Sequence, residues 1–217
     1  MSDFSRVSII LAMIIALFSI FLDQFTSFDI QRIVGISILT DEDRAIELAS
    51  AILWLYAAVI VVFARHIQPS QSRLLLSALF LLLCARELDF DKRFFSEGVL
   101  KSRQYFGDTP FPEKIIGLGI IALLLLIIIL LIKRHWSAFT QAIRSGMTWG
   151  WLTLAALFMV VIAKSIDGAE RKLAAFGTTL SRESYHFITL VEEYLELGFV
   201  FSIIILISLG IKKGHFI

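Results

Sequence analysis

Residues 115–132 read Ile115-Ile116-Gly117-Leu118-Gly119-Ile120-Ile121-Ala122-Leu123-Leu124-Leu125-Leu126-Ile127-Ile128-Ile129-Leu130-Leu131-Ile132, without a single charged side chain. A helix rises about 1.5 Å per residue, so this run nearly covers a hydrocarbon layer about 30 Å thick. Upstream, Gly107-Asp108-Thr109-Pro110-Phe111-Pro112 is a loop that leads into a helix start. Downstream, Lys133-Arg134-His135-Trp136 closes the run with the basic and aromatic residues that suit a membrane interface.

The rest of the chain repeats that pattern less purely. Apolar runs at 7–22, 45–64, 74–91, 149–167 and 189–210 bring the expectation to six spans. Hydrophobic residues make up 58% of the 217. A soluble domain stays nearer half, with finer alternation. The expected fold is therefore an all-α integral membrane protein, a six-transmembrane helix bundle in one domain over 1–217. The run 7–22 is followed by Asp23-Gln24-Phe25-Thr26 and not by a small-residue cleavage site, so it reads as an uncleaved first span. Thr40 reads as the N-cap of the second helix, with Asp41, Glu42 and Asp43 in its first turn. The third run is expected to stay helical as far as Arg93, and the fifth as far as Arg171.

Charge sets the sidedness. With six spans both termini share a side, together with the connectors 65–73 and 133–148. These segments carry Arg6, Arg65, Arg73, Lys133, Arg134, Arg144, Lys212 and Lys213 against the single acid Asp3. The opposite loops hold more basic residues in raw number, but they are longer and each is mixed with acids. Short, purely basic connectors favour the cytoplasmic side, which gives a multi-pass protein of the cell (inner) membrane with both termini cytoplasmic. Trp136, Trp149 and Trp151 are the aromatic anchors at that interface. The bilayer is the expected partner, with a membrane protein or a second copy beside it. A net charge of +1 gives no reason to expect nucleic acid. Cys84 is the lone cysteine, excludes an intrachain disulfide, and reads as a small buried residue.

Depth then points to a site. Counting from each span's cytoplasmic end, Glu196 lies roughly 24 Å up and Glu193 roughly 28 Å; Arg86, Glu87 and Asp89 lie at about 20–24 Å, Lys164 at about 22 Å, and Asp167 and Glu47 at about 27 Å. Four spans thus place ionisable groups in one layer, where each charge is costly unless it faces the bundle interior and finds a partner or water. Thr189, Glu193 and Glu196 form one helical stripe, which His186 extends outward, and Glu192 is in register with Glu196. Carboxylates exceed cations in this set. An excess of buried carboxylates must hold protons, bind a cation or open to water.

The expected function is an outward-facing intramembrane pocket for a cation, a proton or a cationic headgroup, built from Glu193, Glu196, Asp89, Asp167, Arg86, Lys164, Glu87, Glu192 and Glu47. The oxygen-rich set also admits a divalent cation, with Glu193, Glu196 and His186 as its candidate ligands. One alternative is a small accessory or structural subunit in which the same charges form an ion-pair lock. The other is an intramembrane, metal-dependent enzyme acting on lipid at the outer leaflet, with a carboxylate as base. No phosphate-binding loop, dinucleotide fingerprint or nucleophile elbow occurs, and the Glu-x-x-His pairs of carboxylate-bridged di-iron bundles are missing. No catalytic residue is assigned.

Overall fold

The computed structural model describes Met13 and residues 44–64, 67, 69–174, 176–177 and 179–213. The expected first span at 7–22, apart from Met13, and the expected Thr40 cap lie outside the described residues. Every regular element among those residues is helical. The long ones are α1 (Arg44–Phe63), α2 (Ser70–Glu87), α4 (Phe111–Arg144), α5 (Thr148–Ile166) and α7 (Arg182–Lys213). Short helices α3 (Arg103–Phe106) and α6 (Ala169–Ala174) and a 3-10 turn at Asp91–Arg93 lie between them. Three of the helices, at Ile46–Phe63, Phe111–Arg144 and Thr148–Ile166, are long and apolar enough to cross a membrane.

The long helices close a ring in which α2 packs on α1, α1 on α7, α7 on α5, α5 on α4, and α4 back on α2. The buried core lies in the α2–α1–α7 wall. Ala49, Ala51, Ala57 and Ala58 are buried along α1, and small residues let helix backbones approach closely. Leu53 and Val61 of α1 and Val200 and Ile204 of α7 fill the seam. Trp54 bridges both neighbours, its ring 5.4 Å from Phe80 of α2 and 5.4 Å from Phe199 of α7. Cys84 is buried in this same core. Ser77 Oγ donates to the Ala58 carbonyl at 3.1 Å and pins α2 to α1. By contrast α4 and α5 leave long apolar faces open, with Leu125, Ile129, Phe158 and Val161 among the exposed side chains.

Helix ends differ from the sequence expectation in four places, each for a local reason. First, α2 stops at Glu87 and does not run on to Arg93. Asp89 takes a left-handed φ of 49°, while its N–H bonds the Arg86 carbonyl and the Phe90 N–H bonds the Ala85 carbonyl. This double closure is a Schellman stop, with aspartate in the place glycine usually takes. Second, α5 stops at Ile166. Asp167 turns to extended backbone and Gly168 follows at φ 64°, so Arg171 leaves the face that carries Lys164. Third, α4 runs through the expected connector as far as Arg144, where Gly146 at φ 67° ends it. Fourth, α7 starts at Arg182, well before the expected span, with Ser181 Oγ accepting the Ser184 N–H at 3.2 Å as its cap.

Candidate functional site

Three helices meet at the end of the ring where α2 and α5 finish and α7 is in its first half. Their meeting point is Glu196. Arg86 Nη2, from the last turn of α2, donates to Glu196 Oε1 at 3.5 Å. Lys164 Nζ, from the last turn of α5, reaches the same oxygen at 2.5 Å. Glu196 itself stands on α7 where Leu197 and Val200, immediately beyond it, are buried. A carboxylate at that place is largely removed from solvent, and two cations from separate helices offset its desolvation.

The remaining charges arrange themselves around this bond. Lys164 Nζ is also 3.7 Å from Glu192 Oε1 and 3.5 Å from Asp167 Oδ2, so three carboxylates surround one ammonium. Arg86 Nη1 also holds Glu87 at 3.5 Å, and the Glu87 side chain is only 7% exposed. Glu193 is half-buried, with one carboxylate oxygen removed from solvent. Glu47 is exposed in the first turn of α1, near enough for its charge to act on Glu87. Of the expected stripe Glu196 reaches Lys164, joined by Glu192 one turn before it on α7, and Arg86 with Glu87 meets them from α2. In this network four carboxylates face two cations.

Two expected members are elsewhere. Asp89 is turned away by the Schellman stop and pairs with Lys92 at 2.7 Å on the exposed turn. The metal set of Glu193, Glu196 and His186 does not form: among the described residues no group of three or more His, Cys, Asp or Glu side chains is arranged to hold a metal ion. His186 is exposed and stands about 15 Å along the axis from Glu196. The space between Glu192 and Glu196 is taken by Lys164 Nζ.

The structure adds two polar arrangements that the sequence did not reveal. At the opposite end of the ring, Arg134 Nη2 donates to Gln71 Oε1 at 2.9 Å and His135 Nε2 lies 3.0 Å from the buried Ser72 hydroxyl. Burial and the neighbouring Arg134 charge lower the His135 pKa from its ordinary value. The contact exists because α4 stays helical beyond residue 132, which the basic run disguised as a connector. At the charged end, the segment between α2 and α4 is an ordered lobe. Gln104 is fully buried in it, accepting the Glu97 N–H at 3.1 Å and donating to Glu113 at 3.1 Å. Glu113 also accepts the Ser96 N–H at 2.8 Å. These bonds, led by the Ser96 backbone, lower the Glu113 pKa from its ordinary value. The one sequence signal for this order was the acid in the first turn after Pro112.

Comparison of the chain with protein families, with curated proteins and with solved structures finds no match.

Proposed function

We propose that the chain is a multi-pass cell-membrane protein of six spans with both termini cytoplasmic, and that the network around Glu196 is its working part: an outward-facing, carboxylate-rich site that takes up a proton, a cation or a cationic headgroup. Three helices with the length and apolarity of spans support the membrane placement. So do the open apolar faces of α4 and α5, for which lipid acyl chains are the proposed cover. Arg73, Arg134 and Arg144 gather at the other end, which supports its cytoplasmic assignment.

One observation carries the functional reading: carboxylates outnumber cations around Lys164, whose ammonium is the resident ligand of Glu196, Glu192 and Asp167. A lysine ammonium is a compact charge on a flexible stem, and the Lys164 side chain is 36% exposed. An incoming cation or proton would compete with it for the same oxygens. An ion-pair lock is the second reading. It is favoured by the fact that Arg86 and Lys164 already bind Glu196 from two different helices, which fastens α2, α5 and α7 together. The enzyme alternative gains no observation beyond the acids themselves.

The test is a titration of the purified full chain in lipid nanodiscs with methylammonium, sodium or magnesium at constant ionic strength, read by thermal unfolding. Uptake at this site raises the unfolding temperature in a saturable way by mass action, and Glu196→Gln removes the rise. If none of the three cations produces a saturable shift, and acidification protonates no group that Glu196→Gln removes, the lock alone remains.

A further inference from the structure

The lobe at residues 88–110 is built the wrong way round for water. Several of its polar groups bond one another. Asp91 accepts the Val99 N–H at 3.0 Å, and the hydroxyls of Tyr105 and Thr109 donate to the carbonyls of Val99 and Gln104. Lys114 Nζ closes the lobe on the Gly107 carbonyl at 2.8 Å. Gly117 makes room for the Tyr105 ring, since a Cβ there would sit 2.7 Å from the Tyr105 hydroxyl. The lobe is thereby pinned to the first turns of α4, at the level where the apolar run begins. Its large apolar side chains point outward: Phe106 is 91% exposed and Phe94 64%, with Leu100 and neighbouring Phe111 also open. Moving such side chains from water into an apolar phase is favourable, so a fixed surface of this kind marks a contact.

Charge identifies the contact. Asp91 and Glu113 are engaged inside the lobe, and Asp89 is paired with Lys92. Arg93, Lys101 and Arg103 are exposed and make no ion pair among the described residues, and these three outnumber the remaining acids of the lobe, exposed Asp108 and half-buried Glu97. Aromatic side chains interleaved with unpaired basic ones suit the boundary between acyl chains and anionic headgroups.

We propose that this lobe is a lipid-docking surface. Phe94, Leu100, Phe106 and Phe111 enter the headgroup boundary of an anionic leaflet, and Arg93, Lys101 and Arg103 meet its phosphates. The inference rests on the membrane placement proposed above. A protein partner or a second copy of the chain would cover the same side chains without lipid.

The test uses single nitroxide labels on the full chain in a Cys84→Ala background, in vesicles of phosphatidylcholine mixed with phosphatidylglycerol. Labels replace Phe94, Leu100 or Phe106, with Leu125 on the open face of α4 and Asp108 on the lobe as references. Collision rates with oxygen and with a water-soluble nickel chelate report depth. At Phe106 the oxygen-to-nickel ratio is expected to be several-fold above that at Asp108 and below that at Leu125. It is expected to fall in phosphatidylcholine alone and in Lys101→Glu with Arg103→Glu. A ratio at Phe106 equal to that at Asp108, with Leu125 still in lipid, overturns the docking surface alone. A water-accessible Leu125 overturns the membrane placement itself. Spin–spin broadening at Phe106 assigns the surface to a second copy and overturns the lipid. Equal ratios in both lipids overturn the anionic requirement.

Discussion

At the scale of single residues, the molecule turns on whether an acid has found a partner. Glu196 has two, and both are cations from other helices. It was legible in the sequence because apolar residues follow it at once, so a charge there had to be answered from elsewhere. Asp89 looked equivalent by depth and is not, because its place depends on a left-handed backbone angle that nothing in its composition announces. Glu113 shows the same logic outside the apolar layer. Its pKa lies below the ordinary carboxylate value because the Ser96 N–H and the Gln104 amide bond the charged form. A lowered folded-state pKa contributes stability that is complete above the ordinary carboxylate pKa and is lost as pH falls through the folded value. Acidification is therefore expected to release the lobe: the Ser96 amide should exchange hydrogen faster as pH drops through that range, and Glu113→Gln should exchange fast at neutral pH as well. Exchange at Ser96 that ignores both changes contradicts this role for Glu113.

At the scale of elements, spans were easier to read than their ends. Runs of Leu, Ile and Val declare a helix, but its last turn depends on whether a glycine or aspartate can adopt a positive φ and close the carbonyls. Gly146 does so at φ 67°; at the end of α5 Asp167 leaves the helix and Gly168 follows at φ 64°, where the expectation of a longer fifth helix failed. The basic residues after 132 hid the continuation of α4, because charge marks a membrane boundary without marking the end of a helix. Close approaches between helices were not legible at all. Gly150 is such a place: a Cβ there would lie 2.9 Å from Ala142 Cβ and 3.1 Å from backbone atoms of residues 142 and 143. Gly150→Leu is expected to force α4 and α5 apart and to cost about 1–3 kcal/mol, as overpacking of a tight contact does. Gly119→Leu, where a Cβ meets nothing within 4 Å, is the control. Thermal unfolding in detergent reads the difference, and equal midpoints for the two variants would show that the α4–α5 contact is loose.

At the scale of the whole molecule, the ring order α2, α1, α7, α5, α4 could not be read from the sequence. Periodicity tells which face of a helix is apolar and not which helix it meets. A shared depth of charges did indicate that distant parts of the chain converge, and Arg86, Lys164 and Glu196 meet from α2, α5 and α7. Lys164, expected among them as a positive member, stands against Glu196 and Glu192. The most direct measurement is the charge exchange of Lys164→Glu with Glu196→Lys, by thermal unfolding of the full chain in nanodiscs. Each single change should lower the unfolding midpoint, and the double variant should lose less than the sum of the two, with a coupling of about 0.5–3 kcal/mol for residues in contact. Losses that simply add would contradict the convergence, because side chains that do not touch have nothing to exchange.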